Sequence, residues 1–445
     1  MGLLASIARL ADSTPPDRNR AVDALRAASI LVVVFGHWLM AAVTVVDGEL
    51  VPGHVLELTR WTHPLTWVLQ VMPVFFVVGG YANGRSWRSA RRRGDGYGLW
   101  LRSRLRRLVL PVVPLLIVWG VGGWIGLRAG LDWQILQLAS RVALVPTWFL
   151  AAYVVIVTIA PLTLWLWERY GWWSVAAGVV LAGLADLAAL GAGWVAVGFL
   201  NYVFVWGTVH QLGYAWLDGR LGGPARRLWL AAAGFVVVLV LVWAGPYPVA
   251  MVGLDTAEVA NSYPPRVTLA ALGIFQAGVI LALEQPLRRF LARKNPWRLV
   301  VAVNVQIMTL YLWHLTAMVI AIGLSLLAGG AGLGIEPLSA IWWLSRPVWF
   351  LAVGVVTAAL VAAFSRYERP GPDGRPAPPW WRPVLAVIGV CAGLGLLAAV
   401  GIADEEGLNG LVLTLPIIGV MAGGIGGARL HARRSPGAVE VAGDR

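Results

Sequence analysis

The sequence predicts an all-α, polytopic integral membrane protein, a helical bundle of about twelve transmembrane helices. Of its 445 residues, 59% are apolar and only 13% are charged, whereas soluble domains are nearer half apolar and a quarter charged. The chain also contains twelve apolar runs, each close to the ~20 residues that a spanning helix requires. The connections between these runs are too short for an independently folded domain, so a soluble protein, a disordered chain and a nucleic-acid binder are excluded.

The first six helices are separated by short polar or arginine-rich connections. We place them at 23–46, 65–84, 108–127, 147–166, 173–191 and 194–216. Within the first run, Ala41–Ala42 follow an apolar stretch and resemble a signal-peptide cleavage site. That run is longer than a typical signal core and carries internal charge, so we expect it to be retained as a spanning helix.

The remaining six helices form two groups, because a proline-rich stretch separates the tenth helix from the eleventh. We place these helices at 228–244, 267–284, 299–327, 345–364, 383–401 and 411–428. Closely spaced prolines make a stiff linker, so we predict a ten-helix core followed by a two-helix addition. The segments are a cytoplasmic N-terminal segment 1–22, a membrane core 23–365, a linker 366–382, two additional transmembrane helices 383–428 and a cytoplasmic tail 429–445.

The distribution of positive charge predicts the orientation of the chain. The formal net charge is +13, and 29 of the 35 basic residues fall on the side that holds both termini. Loops rich in arginine and lysine stay in the cytoplasm. We therefore expect a multi-pass protein of the plasma (inner) membrane with both termini cytoplasmic. Membrane lipids, not nucleic acid, are the expected partners of this charge.

Several chemistries are excluded by residue usage. The single cysteine, Cys391, cannot form an intramolecular disulfide, a CxxC redox pair or a Cys-based zinc site. The only lysine, Lys294, lacks the preceding glycine of a GxxxxGK[ST] loop, which excludes ATP-driven pumping through such a loop. No HExxH or comparable spacing is present, so we predict no metal. Structural roles are expected for the histidines outside the central membrane region, which are His54, His63, His210 and His431.

Arg26 and His37 in the first helix form the leading candidate pair, because ionisable residues in the hydrocarbon are costly and usually functional. They are eleven residues apart, about three helical turns, so both side chains share one face and lie ~16 Å apart along the axis. Arginine suits bidentate phosphate binding, and a neutral histidine can accept a proton from a hydroxyl. The pair predicts a phosphate-bearing cofactor that docks at the inner edge and reaches toward His37. The alternatives are an Arg26 that snorkels to lipid headgroups and a structural His37.

A second candidate cluster lies at the end of the longest predicted cytoplasmic loop, 85–107, which carries nine arginines. Arg104 and Arg107 are three residues apart and therefore neighbours on one helical face. Two adjacent guanidinium groups suit a phosphate or pyrophosphate. The alternative is a topogenic role, in which the arginines hold a helix hairpin in place and contact anionic lipid.

Two further ionisable residues lie within predicted helices. His314 lies deep in the ninth helix and fits catalysis, a proton path or helix packing. Asp186 in the fifth helix has no evident partner in the sequence and fits either a proton relay or a protonated packing residue. The amide side chains expected near these candidates are Asn83, Asn201, Gln276, Asn304 and Gln306.

Five motifs, in a matching order, resemble those of membrane acyltransferase family 3, bacterial integral-membrane enzymes that O-acetylate envelope glycans, lipopolysaccharide and glycolipids. They are Arg26-x10-His37, Pro73-Val-Phe75-Phe76-Val-Val-Gly-Gly80, Arg104-x-x-Arg107 before Pro111, Pro146-Thr-Trp148-Phe149-Leu150 and Tyr311-Leu-Trp313-His314. The resemblance covers about residues 17–365. Three departures from the family pattern are Gly79 in place of a serine, Thr316 in place of a proline, and one extra residue between Arg107 and Pro111.

The resemblance implies an O-acyltransferase whose donor is a cytoplasmic acyl-CoA, most simply acetyl-CoA, with no metal. Arg26, Arg104 and Arg107 would hold the donor's phosphates. His37 would deprotonate the acceptor hydroxyl, which would attack the thioester carbonyl directly or through a carried acyl group, and His314 is implied as a second catalytic residue. The acceptor is implied to be a glycan, a glycolipid or a small hydroxylated molecule. Many relatives carry a soluble esterase-like domain where this chain has its last two helices.

Two other functional classes remain open at this point. A secondary transporter commonly has twelve helices with both termini inside, and Asp218-Gly-Arg220-Leu-Gly-Gly is similar to a major-facilitator loop motif. That motif belongs between the second and third helices, where this chain has its arginines instead. The lack of a convincing repeat between the two halves also disfavours an inverted-repeat transporter. A catalytically silent scaffold or lipid-handling protein is the third class.

Overall fold

The computed structural model describes residues 3–46, 49–254, 258–368 and 375–425, which are mostly helical. The first ten helices are α1 (Leu3–Asp12), α2 (Arg20–Met40), α3 (Val55–Leu58), α4 (Thr66–Leu69), α5 (Met72–Arg92), α6 (Tyr97–Val109), α7 (Val112–Arg128), α8 (Trp133–Tyr170), α9 (Trp172–Asp186) and α10 (Val195–Gly198). The others are α11 (Asn201–Leu217), α12 (Pro224–Ala244), α13 (Val267–Ala282), α14 (Glu284–Leu291), α15 (Lys294–Val305), α16 (Ile307–Leu327), α17 (Ala340–Phe364), α18 (Trp381–Val400) and α19 (Gly410–Ala422).

Short non-α elements connect these helices. Two antiparallel hairpins pair β1 (Thr44–Val46) with β2 (Glu49–Val51) and β3 (Ala403–Asp404) with β4 (Gly407–Leu408). Short 3₁₀-helices occur at Arg60–Leu65 and Ser365–Tyr367, and a turn of π-helix occurs at Leu187–Gly191.

The predicted helical membrane bundle is confirmed. Within the described residues, nine helices are long and apolar enough to span a membrane, and the number rises to eleven if two bent pairs each form one span. The bends are 42° between α6 and α7 and 53° between α13 and α14. The twelfth predicted segment corresponds to α19, which has 13 residues and is therefore only ~20 Å long.

Four predicted boundaries are wrong, each for a local reason. The fourth helix begins at Trp133 rather than 147, because Asp132 caps its first turn and Pro146 lies within the helix without ending it. The first helix ends at Met40 rather than 46, because the β-branched run that follows pairs as the β1–β2 hairpin. The arginine-rich segment 85–107 is not a loop, since α5 and α6 cover all of it except residues 93–96. The ninth segment is divided at Gln306, whose backbone leaves the helical conformation between α15 and α16.

The last two helices are docked onto the earlier ones. Helix α18 packs against α19, α8 and α6. The Thr147 hydroxyl on α8 donates to the carbonyl oxygen of Leu394 at 2.9 Å, and Arg102 on α6 donates to the carbonyl oxygens of Arg375 and Pro376. The division into a ten-helix core and a two-helix addition remains a prediction. The predicted tail 429–445 and residues 369–374 of the linker lie outside the described residues.

The centre of the bundle is formed by α2, α5, α8, α11 and α16. Helix α2 contacts α5 and α16, and α8 contacts α5, α11 and α16. Helices α5 and α11 cross very closely, because a Cβ atom added at Gly80 would lie 1.9 Å from the carbonyl oxygen of His210. A Cβ added at Gly213 would lie 2.1 Å from the carbonyl oxygen of Val77. Glycine is therefore required at both positions for α5 and α11 to approach each other this closely.

Candidate active site

Two cavities extend into the bundle between these central helices. The first, of about 610 Å³, lies among the arginines near the ends of α2, α5 and α6, and we call it the basic cavity. The second, of about 700 Å³, lies beside the other end of α2, and we call it the apolar cavity. Four residues line both cavities and form what we call the dividing wall: Ile30, Phe75, Phe149 and Tyr311. The rings of the wall pack edge to face, with centroids 5.1 Å apart for Phe75–Phe149 and 5.7 Å for Phe149–Tyr311.

The basic cavity brings together the three arginines that the sequence predicts. Arg26, Arg104 and Arg107 line it, together with Arg18. Asp23 accepts hydrogen bonds from Arg18 at 2.6 Å and from Arg26 at 3.4 Å. The hydrogen bond to Asp23 raises the pKa of the Arg18 guanidinium. Because one carboxylate serves both arginines, this half of the cavity keeps a positive charge.

Arg104 and Arg107 carry the other positive charge of this cavity. Neither side chain makes a hydrogen bond or an ion pair to any residue that the structure describes, although Arg104 lies 5.9 Å from the ring of Trp100. Arg102 and Arg106 leave the same helix in another direction, toward backbone carbonyls of the linker and of the segment after α19. On α6, Arg102 and Arg106 therefore stabilise the contact with the C-terminal segments, whereas Arg104 and Arg107 line the cavity. The carboxylate of Glu368 also lines this cavity, where it accepts hydrogen bonds from the backbone N–H groups of Met308 and Thr309. Two neighbouring guanidinium groups at a cavity wall are of the kind that binds a phosphate group.

A polar chain of side chains completes the basic cavity. The Asn83 amide nitrogen lies 3.2 Å from Nε2 of His210 and 3.5 Å from the Tyr153 hydroxyl. Since an amide nitrogen only donates, His210 accepts through Nε2 and carries its proton on Nδ1. The Oδ1 atom of Asn83 makes no hydrogen bond to the described residues, and Asn83 lines the cavity. Oδ1 is therefore free to accept a hydrogen bond from an N–H or O–H group of a ligand.

Arg26 and His37 both face the helix pair α15–α16. Arg26 Nε donates to Asn304 Oδ1 on α15 at 2.7 Å. Eleven residues along α2, His37 Nδ1 lies 2.9 Å from His314 Nε2 on α16. The indole of Trp38 donates to the His314 carbonyl oxygen at 3.2 Å, which holds α2 and α16 together at this level. The shared face therefore extends from the basic cavity, lined by Arg26, to the apolar cavity, lined by His37.

The contacts of the two histidines determine where their protons lie. His314 Nδ1 lies 2.7 Å from the carbonyl oxygen of Tyr311. A carbonyl oxygen only accepts, so His314 carries its proton on Nδ1 and offers a lone pair at Nε2. His37 then donates through Nδ1, which leaves the lone pair of its Nε2 free. That nitrogen makes no hydrogen bond to the described residues, and His37 lines the apolar cavity. The geometry is that of a base oriented by a second group, as in nucleophile–base–orienter triads.

Two of the family departures noted in the sequence have local explanations. A Cβ atom added at Gly79 would lie 2.9 Å from the Tyr153 ring, so the Tyr153 side chain occupies the space that a serine would need. The hydroxyl of Thr316 accepts a hydrogen bond from the indole of Trp119 at 3.1 Å, which links α16 to α7.

The expectation that Asp186 has no evident partner is wrong. Arg266 donates to it at 3.1 Å, and Asn201, Tyr247 and the backbone N–H of Val267 donate as well. These partners come from distant parts of the sequence, so residue spacing gave no sign of them. Asp186 thus belongs to a hydrogen-bonded ion pair away from both cavities.

The other histidines have structural contacts. His54 Nδ1 accepts from the backbone N–H of Leu56 at the start of α3 and also borders the apolar cavity. His63 Nε2 lies 2.7 Å from the carbonyl oxygen of Leu56. His431 lies outside the described residues. In the part of the chain that the structure describes, no three His, Cys, Asp or Glu residues are grouped so that they could hold a metal ion.

Comparison with known proteins assigns the chain to a family. The model of the acyltransferase domain of membrane acyltransferase family 3 matches residues 19–366, well over half of the chain. No significant match was found among curated proteins or among solved structures. The matched range nearly coincides with the predicted core 23–365 and includes all five motifs. It favours the acyltransferase over the transporter and the scaffold. The protein is therefore a multi-pass membrane acyltransferase that belongs to membrane acyltransferase family 3.

Proposed function

We propose that this enzyme transfers an acyl group, most simply acetyl, from cytoplasmic acyl-CoA to a hydroxyl group of an envelope glycan, glycolipid or related acceptor. The arginine-rich end of the bundle would face the cytoplasm, because positively charged segments are retained there. The enzyme would then reside in the plasma membrane with both termini inside, and the basic cavity would open to the cytoplasmic pool of donor.

One observation carries this proposal: a cavity with four arginines is separated by a single wall from a cavity that holds an oriented histidine. Coenzyme A has a charged phosphate end and a long neutral arm that ends in the thioester. Arg26, Arg104 and Arg107 would bind the phosphates by charge-assisted hydrogen bonds. The arm would extend along α2, past Asn83 and the dividing wall, toward His37. The Oδ1 atom of Asn83 would accept a hydrogen bond from an amide N–H of that arm.

The chemistry at His37 would be a direct acyl transfer. Nε2 of His37 removes the proton of the acceptor hydroxyl as its oxygen attacks the thioester carbonyl carbon. The C–S bond breaks as the C–O ester bond forms, and the leaving thiolate takes the proton back from His37. His314 would position His37 by accepting its Nδ1–H and would share the positive charge that His37 gains. No metal ion and no covalent intermediate on the protein are needed.

The proposal is tested with purified protein in detergent, by measuring acetyl-CoA binding and the slow release of CoA by hydrolysis. Replacing a general base lowers rates by ~10²–10⁴-fold. His37→Ala should therefore lose turnover and keep acetyl-CoA affinity, whereas Arg26→Ala should lose affinity. Folding of each variant is checked by thermal unfolding. Absence of acetyl-CoA binding to folded wild-type protein, or wild-type turnover by His37→Ala, would overturn the proposal.

A further inference from the structure

The apolar cavity holds few groups that could bind a polar acceptor. Among the residues that the structure describes, its lining contains no Asp, Glu, Lys or Arg, and aromatic rings supply much of its surface. Three of its polar side chains are already engaged. The hydroxyls of Thr62 and Thr66 donate to the carbonyl oxygens of Thr59 and His63, and Gln70 donates to the carbonyl oxygen of Met251. The hydroxyls of Ser29 and Ser262 and the indole N–H groups of Trp61, Trp148 and Trp343 make no hydrogen bond to the described residues, but they lie on five separate segments of a mostly apolar lining. A sugar ring with several adjacent hydroxyl groups would leave some of them without partners, which costs free energy in a buried site.

The residues at the opening of the cavity are apolar as well. Five large apolar lining residues are also exposed at the surface of the protein, where they mark the rim: Phe35 on α2, Trp61 and Leu65 in the 3₁₀-helix, Leu69 on α4 and Trp343 on α17. Helix α2 contacts α4, so these residues belong to neighbouring elements. The rings of Phe35 and Phe350 meet edge to face at 6.1 Å and extend the rim to α17. A molecule that enters here crosses an apolar surface before it reaches His37.

We infer that the acceptor is a neutral, largely apolar alcohol, such as a hydroxylated lipid or the lipid end of a glycolipid, rather than a free hydrophilic glycan. The inference rests on the proposed function, because it assumes that His37 activates the acceptor hydroxyl in this cavity. The free Nε2 of His37 then serves as the one polar partner that the single reacting hydroxyl requires. The volume of about 700 Å³ falls in the range of cavities that enclose a compact ligand.

The first experiment compares acceptors that share one polar head. Methyl, butyl and hexyl β-glucoside are supplied below their micelle-forming concentrations to the enzyme in lipid nanodiscs with acetyl-CoA. Ester formation and CoA release are both recorded, because a bound alcohol either accepts the acetyl group or blocks hydrolysis at His37. Each methylene buried should lower the half-maximal concentration by up to about fourfold. Hexyl glucoside should therefore act at a concentration at least tenfold lower than methyl glucoside.

A variant that fills the cavity provides the second experiment. Gly36 lines the apolar cavity, and no heavy atom of the described residues lies within 4 Å of a Cβ atom added there, so the side chain of Gly36→Leu would extend into open space. It should weaken the effect of hexyl glucoside at least tenfold while acetyl-CoA affinity stays unchanged. Gly122→Leu is the matched control, since Gly122 is exposed on α7, lines neither cavity and also has open space at its Cβ position. The control should behave like the wild type.

The outcomes distinguish a failure of the proposed function from a failure of the inferred acceptor class. If the wild type releases CoA and methyl glucoside or free glucose acts as strongly as hexyl glucoside, the acceptor class is wrong and the proposed function stands. If Gly36→Leu leaves the dependence on chain length unchanged, alcohols act elsewhere, and the assignment of this cavity to the acceptor is wrong. If folded wild-type protein neither binds nor cleaves acetyl-CoA, the proposed function fails and the inference fails with it.

Discussion

Replacement of Arg104 by alanine gives the sharpest test of the donor site. The Arg104 guanidinium lines the basic cavity and makes no hydrogen bond or ion pair to the described residues, so the change removes no internal interaction of that kind. A hydrogen bond to a charged group contributes about 1.5–3 kcal/mol. At about 1.4 kcal/mol per tenfold change, the loss should raise the Kd for CoA by about 10- to 150-fold. Pantetheine, which lacks the phosphates, should bind equally to both proteins.

The assay is calorimetric titration of purified wild type and variant with CoA and with pantetheine at two salt concentrations. Arg92→Ala is the control, because it removes the same charge from the same end of the bundle. Arg92 is exposed at the end of α5 and lines neither cavity. Its Kd for CoA should stay within about twofold of wild type. An unchanged Kd for Arg104→Ala, or an equal weakening of pantetheine, would show that Arg104 does not contact the phosphates.

Three further predictions concern the histidine pair, the dividing wall and the helix crossing. His314→Ala should lower kcat for CoA release about 100-fold and leave acetyl-CoA affinity unchanged. The side chain of His314→Gln can still accept a hydrogen bond from His37, so this variant should recover part of the lost kcat. Equal rates for both variants would show that His314 does not position His37. Phe149→Ala should raise acetyl-CoA hydrolysis severalfold in the absence of an acceptor, because the smaller side chain opens the wall to water; a lower rate would contradict this role. Gly80→Ala should destabilise the protein by about 1–3 kcal/mol or more, because its Cβ atom would lie 1.9 Å from a carbonyl oxygen. Gly207→Ala, whose Cβ atom has no described heavy atom within 4 Å, should keep or raise the unfolding temperature.

The sequence predicts the membrane helices well because its apolar runs have the length that a bilayer imposes. It predicts helix ends less well, since these depend on local choices that hydropathy does not record. The β-branched residues after Met40 could continue a helix or form a strand, and the hairpin partner decides between these. The arginines between 85 and 107 read as a loop, yet arginine is a good helix former and α5 simply continues past the apolar run.

The candidate site, too, could be predicted from the sequence only in part. The spacing of Arg26 and His37 lies within one helix, so helical geometry alone predicts their shared face. The contact of His37 with His314 joins residues 277 positions apart, and one sequence gives no means of pairing them. The same holds for Asn83 with His210 and for Asp186 with its partners. In each case the pairing depends on how helices cross, and at α5 and α11 that crossing depends on small residues with no chemistry of their own.

The dividing wall also has a consequence for the electrical insulation of the membrane. A bilayer resists ion flow because ~30 Å of hydrocarbon separates its two faces. Here one cavity lies toward each end of α2, and a single layer of side chains, beside the hydrogen-bonded pair His37 and His314, separates them. A passage wide enough for a long acyl chain would leak protons whenever the donor was absent. Insulation, rather than catalysis, would then set the upper limit on the acyl chain that such an enzyme can carry.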